Sequence, residues 1–201
     1  MYNIKQELIK ELYNAGVLKF GTFTLKSGMQ SPYYIDFRII FSHPELFAQL
    51  LELAWIKIAN LEFDAFAGVP YAAVPYATGL ALLHKKPFIM IRKAAKDHGT
   101  KNMIEGSIEK NSSCLLIEDL TTTGSSILET TEILEQHDIV VRDIFIFLDR
   151  EQGGVERLQN KGYRVHTLFT FTEMLHALEE LRCIDETEKN TSISWLKEHS
   201  L

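Results

Sequence analysis

Residues 114–126 read Cys-Leu-Leu-Ile-Glu-Asp-Leu-Thr-Thr-Thr-Gly-Ser-Ser, and their order points to chemistry before it points to a fold. An apolar run passes directly into two carboxylates, Glu118 and Asp119. Leu120, three threonines (Thr121, Thr122, Thr123), Gly124, Ser125 and Ser126 follow, and a helical pattern opens at Ser125. Backbone N–H groups, hydroxyls and the positive end of a helix therefore converge on one small volume, which suits a phosphate monoester. Gly124 lets the backbone turn tightly with no side chain between it and a ligand. The carboxylates cannot favour phosphate, but they are good acceptors for vicinal sugar hydroxyls. Acid pair and hydroxyl-rich turn together describe a ribose 5-phosphate. The bland alternative is a capped helix whose acidic pair faces solvent. A dinucleotide fingerprint (G-x-G-x-x-G) and a Walker loop (G-x-x-x-x-G-K-[ST]) are both absent.

A second segment, residues 92–106, carries Arg92, Lys93, Lys96, His98 and Lys101 with almost no apolar anchor. It reads as a mobile loop that would bring several donors onto a polyanion when closed. A solvated surface loop has the same composition, so these residues alone leave both readings open.

The elements that must position these groups follow from periodicity. Short apolar runs at Phe63 to Gly68, Pro87 to Ile91, Ser113 to Ile117, Ile139 to Leu148 and Arg164 to Phe169 read as strands. Helical spacing appears over Lys5 to Ala15, and after a capping-box pattern at Ser42-His43-Pro44-Glu45 through Ile58. It recurs over Ser125 to Gln136, with Ile127, Leu128, Thr131 and Leu134 inward, and in a Met174, Leu175, Leu178, Leu181 stripe. Asp185 to Leu201 reads equally as a docking helix or as a fraying end. Strand and helix alternate, so the class is α/β, with a mostly parallel central sheet and helices on both faces. Ligands in such folds bind beyond the carboxyl ends of the strands, where both chemical segments begin.

Composition bounds the rest. A chain of 201 residues fits one domain. With 46% apolar and 24% charged residues it is neither disordered nor fibrous. Lys plus Arg number 21 against 27 Asp plus Glu, a net charge of -6, which argues against coating nucleic acid. The longest candidate apolar run, Ile144 to Leu148, is far short of a membrane helix, and the start lacks a signal peptide's apolar centre, so a cytoplasmic, membrane-free protein is expected. Cys114 and Cys183 read as small buried hydrophobes without metal-ligand spacing.

The Glu-Asp-Leu-Thr-Thr-Thr-Gly-Ser-Ser string resembles the phosphoribosyl diphosphate signature of the type I phosphoribosyltransferases. The Arg-Lys-x-x-Lys-x-His-Gly pattern from Arg92 looks like the catalytic loop of the orotate phosphoribosyltransferases. Phe20 to Gly28 and Ser31 to Arg38 resemble the family's amino-terminal hood over orotate, here within residues 1–40. The resemblance covers roughly residues 3 to 183, includes no decarboxylase barrel, and is closest to the transferase portion of fused UMP synthases. It implies a single phosphoribosyltransferase domain that converts orotate and phosphoribosyl diphosphate to orotidine 5′-monophosphate and pyrophosphate with Mg²⁺. Catalytic roles fall on Lys96, His98, Asp119 and Glu118. Donor contacts fall on Lys26, Tyr71, Ala72, Arg92, Lys93, Lys96, His98 and residues 118–126. Orotate contacts fall on Tyr34, Ile35, Thr122 and Arg150, the last gripping the orotate carboxylate. No metal ligand is assigned directly, Mg²⁺ being held through substrate and water. A homodimer with shared sites is also implied.

Three departures stand out. Gly68 to Pro75 occupies the pyrophosphate-binding turn with Ala72 where many bacterial enzymes place lysine, which implies weaker diphosphate contact without loss of activity. Ile35 stands where some relatives have an aromatic, and Glu118 replaces the commoner Asp. Rival readings are a transferase for another base, against which Arg150 and Tyr33-Tyr34 speak, and a regulator that keeps the fold without catalysis, against which the basic loop speaks.

Overall fold

Parallel strands need a crossover between them, and the alternation of apolar runs with amphipathic stretches supplies it. The computed structural model describes residues 2–25, 28–92 and 103–200. The chain opens with α1 (Tyr2–Asn14) and an antiparallel hairpin, β1 (Leu18–Thr24) and β2 (Gln30–Ile35). A 3₁₀ turn (Phe37–Ser42) leads into α2 (Pro44–Ile58), β3 (Ala65–Gly68), α3 (Val74–His84) and β4 (Phe88–Ile91). After β5 (Ile104–Glu105) come β6 (Ser113–Thr121), α4 (Ser125–Glu135), β7 (Val140–Asp149), α5 (Gly154–Asn160) and β8 (Arg164–Thr170). Helices α6 (Phe171–Glu180) and α7 (Glu186–Glu198) complete it.

The main sheet runs β5-β4-β3-β6-β7-β8, parallel except for the antiparallel β4–β5 pair. From β3 the chain winds outward to β4; from β6 it winds the other way, to β7 and β8. The carboxyl ends of β3 and β6 therefore flank a topological switch point, the position at which crevices open in doubly wound sheets.

Alternation along the central strands sends side chains to two cores. Phe66, Leu115, Ile117, Phe145 and Phe147 face the layer holding residues of α1, α2, α3 and α6. Ala67, Cys114, Leu116, Ile144 and Ile146 face the layer with Ile127 and Leu134 of α4 and Leu158 of α5. Each of the Leu, Ile and Phe side chains contributes roughly 1.5–3 kcal/mol on burial. Helices on both faces follow, as the patterning implies. Cys114 is buried, its thiol pushed up to about 12 by desolvation, whereas Cys183 is only half-buried. No helix among the described residues is long and apolar enough to cross a membrane.

Four expectations need correction. The capping box at Ser42 does not form: Ser42 belongs to the 3₁₀ turn, and His43 precedes α2 without a side-chain cap bond, leaving Pro44 to start the helix. The strand expected to stop at Ile117 runs to Thr121, because Glu118, Leu120 and Thr121 keep pairing with Ile146, Leu148 and Asp149. The 92–106 loop ends early, since Ile104 and Glu105 pair with Ile91 and Met90. Ile104 is also an apolar anchor, 9% exposed in the second core.

Candidate active site

A cleft of about 600 Å³ opens at the switch point, lined by Arg38, Phe41, Val69, Pro70, Tyr71, Ala72, Glu118, Asp119, Leu120, Thr122 and Ser126. Its floor continues into a recess of about 70 Å³ walled by Glu118, Leu120, Thr121, Thr122, Thr123, Gly124, Ser125, Ser126 and Ile127. The recess is the size of a small anion and sits at the start of α4, where consecutive N–H groups point outward.

Local sequence explains its shape. Gly124 precedes α4 in the left-handed region at φ 73, a conformation that disfavours any side chain. A Cβ on Gly154, at the start of α5, would sit 2.6 Å from the Thr122 carbonyl, so the neighbouring turn packs directly on the hydroxyl-rich one. Arg157 of α5 braces the turn, donating from Nη1 to the Thr123 carbonyl at 3.0 Å and the Ser125 hydroxyl at 2.9 Å.

The acidic pair lies in the strand and not, as expected, beyond it. Glu118 is 6% and Asp119 7% exposed, and the Asp119 N–H donates to Glu118 Oε1 at 3.1 Å. Burial pushes the Asp119 carboxyl above its ordinary value, against hydrogen bonding with Glu118 and the Leu120 N–H and the charge of Arg38. Such a carboxyl would be stabilised in its ionised form by positive charge arriving on a bound ligand. Arg38 stands across the cleft, held by Asp36 through Nε at 2.7 Å and Nη2 at 2.8 Å.

A family model described as a phosphoribosyl transferase domain matches residues 37–171, two thirds of the chain. The chain belongs to the phosphoribosyltransferase family. Its sequence is 42% identical over 180 residues to uridine 5′-monophosphate synthase of Bos taurus, an alignment covering 89% of this chain and 38% of that one. It is 39% identical over 176 residues to the orotate phosphoribosyltransferase of Pyrococcus horikoshii, covering 87% of this chain and 95% of the relative. The chain thus spans about two fifths of the first relative and nearly all of the second. The crystal structure of orotate phosphoribosyltransferase from Aeropyrum pernix superposes with a TM-score of 0.77 at 30% identity, over 89% of this chain and 99% of that one.

In this member of the family the expected donor contacts Tyr71, Ala72 and residues 118–126 gather around the cleft and its recess. The Pro70–Tyr71 peptide is cis, and Tyr71 is 64% exposed. Arg92 lies elsewhere, at the end of β4, where its Nη1 pairs with Glu105 at 2.9 Å. Lys26, Lys93, Lys96 and His98 lie outside the described residues, as does most of the expected mobile loop. Tyr34, Ile35 and Arg150 are not part of the cleft wall. Tyr34 tilts against Phe23 on the hairpin, with ring centroids 5.6 Å apart, and Ile35 packs on the core. Arg150 nevertheless abuts the hydroxyl-rich turn, its backbone N–H donating to the Thr121 carbonyl at 3.1 Å.

Sequence reading missed Arg38, Phe41 and Arg157. Arg38 was legible only as an Asp36-x-Arg38 pair at the end of the hood segment. Arg157, seven residues beyond Arg150 on a seven-residue helix, carries no signal in the sequence.

Proposed function

We propose that the chain transfers the 5-phosphoribosyl group from phosphoribosyl diphosphate to orotate, giving orotidine 5′-monophosphate and pyrophosphate in pyrimidine nucleotide (UMP) biosynthesis. The observation that carries this reading is the continuity of cleft and recess: two buried carboxylates open directly onto a hydroxyl-rich helix start. A ribose 5-phosphate carries the same two kinds of group, hydroxyls and a phosphate, at its two ends.

In the reaction the N1 electron pair of orotate forms the new bond to the anomeric carbon. The carbon–oxygen bond to the diphosphate breaks, its electrons leave with pyrophosphate, and the N1 proton is released. Positive charge gathers on the ribose as this happens. Glu118 and Asp119 hold the ribose hydroxyls beside it and stabilise that charge through short distances in a desolvated wall. Residues 121–126 hold the 5-phosphate as an anchor whose binding energy orients the ring. Arg92, Lys93, Lys96 and His98 would neutralise the leaving group. Arg150 would take the orotate carboxylate in a bidentate fork.

Among the described residues no group of three or more His, Cys, Asp or Glu could hold a metal. The donor set still fits Mg²⁺, which takes one or two carboxylates and completes its shell with substrate oxygens and water. Glu118 and Asp119 would face it, and when bound it supplies charge neutralisation at the diphosphate. We further infer a cytoplasmic homodimer in which Arg92, Lys96 and His98 complete the neighbour's site.

The deciding experiment is loss of orotate absorbance on adding phosphoribosyl diphosphate and Mg²⁺, with uracil and hypoxanthine as controls. Turnover with orotate alone supports the reading; turnover with a control base and not orotate overturns it. Lys96→Ala should lower turnover by about 100-fold or more without unfolding the protein, as measured by steady-state rates and circular dichroism.

A further inference from the structure

Arg150 leaves β7 with its guanidinium carbon 5.6 Å from the centroid of the Tyr33 ring. Its Nε is buried and has no hydrogen-bond partner among the described residues, and the Tyr33 hydroxyl is buried likewise. Burying a guanidinium N–H is costly, so the side chain depends on its immediate neighbours for its position. Tyr33 is suited to set that position, being 1% exposed and itself fixed on two sides. The Phe171 ring lies 4.3 Å away, and the Trp195 ring meets it edge-on at 5.4 Å.

Trp195 belongs to α7, and α7 reaches both parts of this end of the molecule. The Trp195 Nε1 donates to the Gln30 carbonyl on β2 at 2.8 Å, and its ring stacks on His199 at 4.3 Å. The His199 carbonyl accepts from Gln152 Nε2 at 3.3 Å, and the Ser200 hydroxyl donates to the Glu151 carbonyl at 3.0 Å. One helix thereby ties the hairpin that carries Tyr33 to the turn that carries Arg150. The helix is itself firmly started by a capping box, Asp185 with Glu188.

We propose that Trp195, acting through the Tyr33 ring, is a positioning residue for Arg150 and so sets the affinity for the base. The proposal rests on the reading of Arg150 as the group that grips the orotate carboxylate. A ring face within about 6 Å attracts a guanidinium and restricts its plane. A displaced ring would leave Arg150 free to swing, and the fork would lose its alignment with a planar carboxylate. The end at residues 118–126 should feel this change little, because Trp195 reaches it only through the backbone of the turn after β7 and not through the Arg150 side chain.

The test is two-substrate kinetics on the full chain carrying Trp195→Ala or Trp195→Phe, with phosphoribosyl diphosphate binding followed by calorimetry. Trp195→Ala should raise KM for orotate about tenfold. The KM and affinity for phosphoribosyl diphosphate, and kcat at saturating orotate, should stay within about twofold, inside the range expected of independent sites. Trp195→Phe, which keeps a ring edge against Tyr33, should recover most of the loss. Should Trp195→Ala fail to fold, Tyr33→Leu should show the same split and Tyr33→Phe should rescue it. Constants for both substrates moving together, or an unchanged KM for orotate, would overturn the proposal. A wild-type chain that binds phosphoribosyl diphosphate and ignores orotate would instead overturn the reading beneath it, and the proposal with it.

Discussion

The two ends of the site are built by opposite strategies. The end proposed for the phosphoribosyl group rests chiefly on one stretch of chain, β6 into α4, in which strand, acidic pair, turn and helix start follow one another, with Arg157 of α5 bracing the turn. The end proposed for the base is assembled from Gln30 and Tyr33 on the hairpin, Arg150 after β7, Phe171 on α6 and Trp195 on α7. A contiguous stretch fixes geometry through backbone sterics and local hydrogen bonds. A dispersed set depends on tertiary packing. Changes at the first end should therefore register in the handling of the activated sugar, and changes at the second in the handling of the base.

Asp119→Asn is the most severe way to probe this difference. It removes a buried charge from beside the developing cation and should lower turnover by about 100-fold or more, with little change in KM for orotate. A drop of only a few-fold in steady-state rates would show that the acidic pair binds without stabilising charge. Arg150→Ala comes next: loss of a charge-assisted fork should raise KM for orotate by about 10- to 100-fold. Calorimetry with phosphoribosyl diphosphate should be unmoved, and a parallel loss there would merge the two ends into one unit.

What the sequence disclosed follows the same division. The five longer strands of the main sheet and the α4 helix were legible because propensity, alternation and turn chemistry lie within about a dozen adjacent residues, whereas β1, β2 and β5 were not read as strands. The extension of β6 through Glu118 and Asp119 was not, since carboxylates disfavour strands until a neighbouring strand pairs with them, as β7 does here. Helix α3 went unread because Ala, Gly and Pro at Val74–His84 give it no amphipathic stripe, and it sits over the sheet on Tyr76, Ala77 and Leu80. Arg38 entered the cleft through the 3₁₀ turn, a conformation without a periodic signature. Nothing in residue order links Trp195 to Tyr33, 162 positions away; only the fold does.

Two smaller effects sharpen the contrast. Gly124→Ala forces a side chain into φ 73 with its Cβ 3.2 Å from the Gly154 carbonyl. It should cost about 1–2 kcal/mol in urea unfolding and weaken phosphoribosyl diphosphate binding while sparing orotate. Asp149, at the end of β7, has its carboxyl pushed up to about 6, chiefly by burial, with Glu156 and Glu151 adding to the rise against a hydrogen bond from the Glu151 N–H. The folded value lies above the unfolded one, so the cost of ionisation is present at neutral pH and is relieved as pH falls through about 6 toward the ordinary carboxylate range. Asp149→Asn should accordingly stabilise the protein at pH 7, by about 1 kcal/mol after solvent screening. The gain should vanish by about pH 4, where both forms are neutral when folded. Urea midpoints for the pair across that interval would show it, and a constant difference would exclude Asp149 as its source.

The borders of the six-stranded sheet carry a last consequence. On one side β5 is only two residues long. On the other, Arg164 and His166 of β8 are fastened to the buried Asp143 at 2.6 and 2.8 Å, and those bonds outweigh burial and hold its carboxyl below its ordinary value. A foreign strand seeking a partner meets a stub at one margin and anchored charge at the other. Short length at one border and charge at the other are the features that make a sheet edge a weaker template for a further strand.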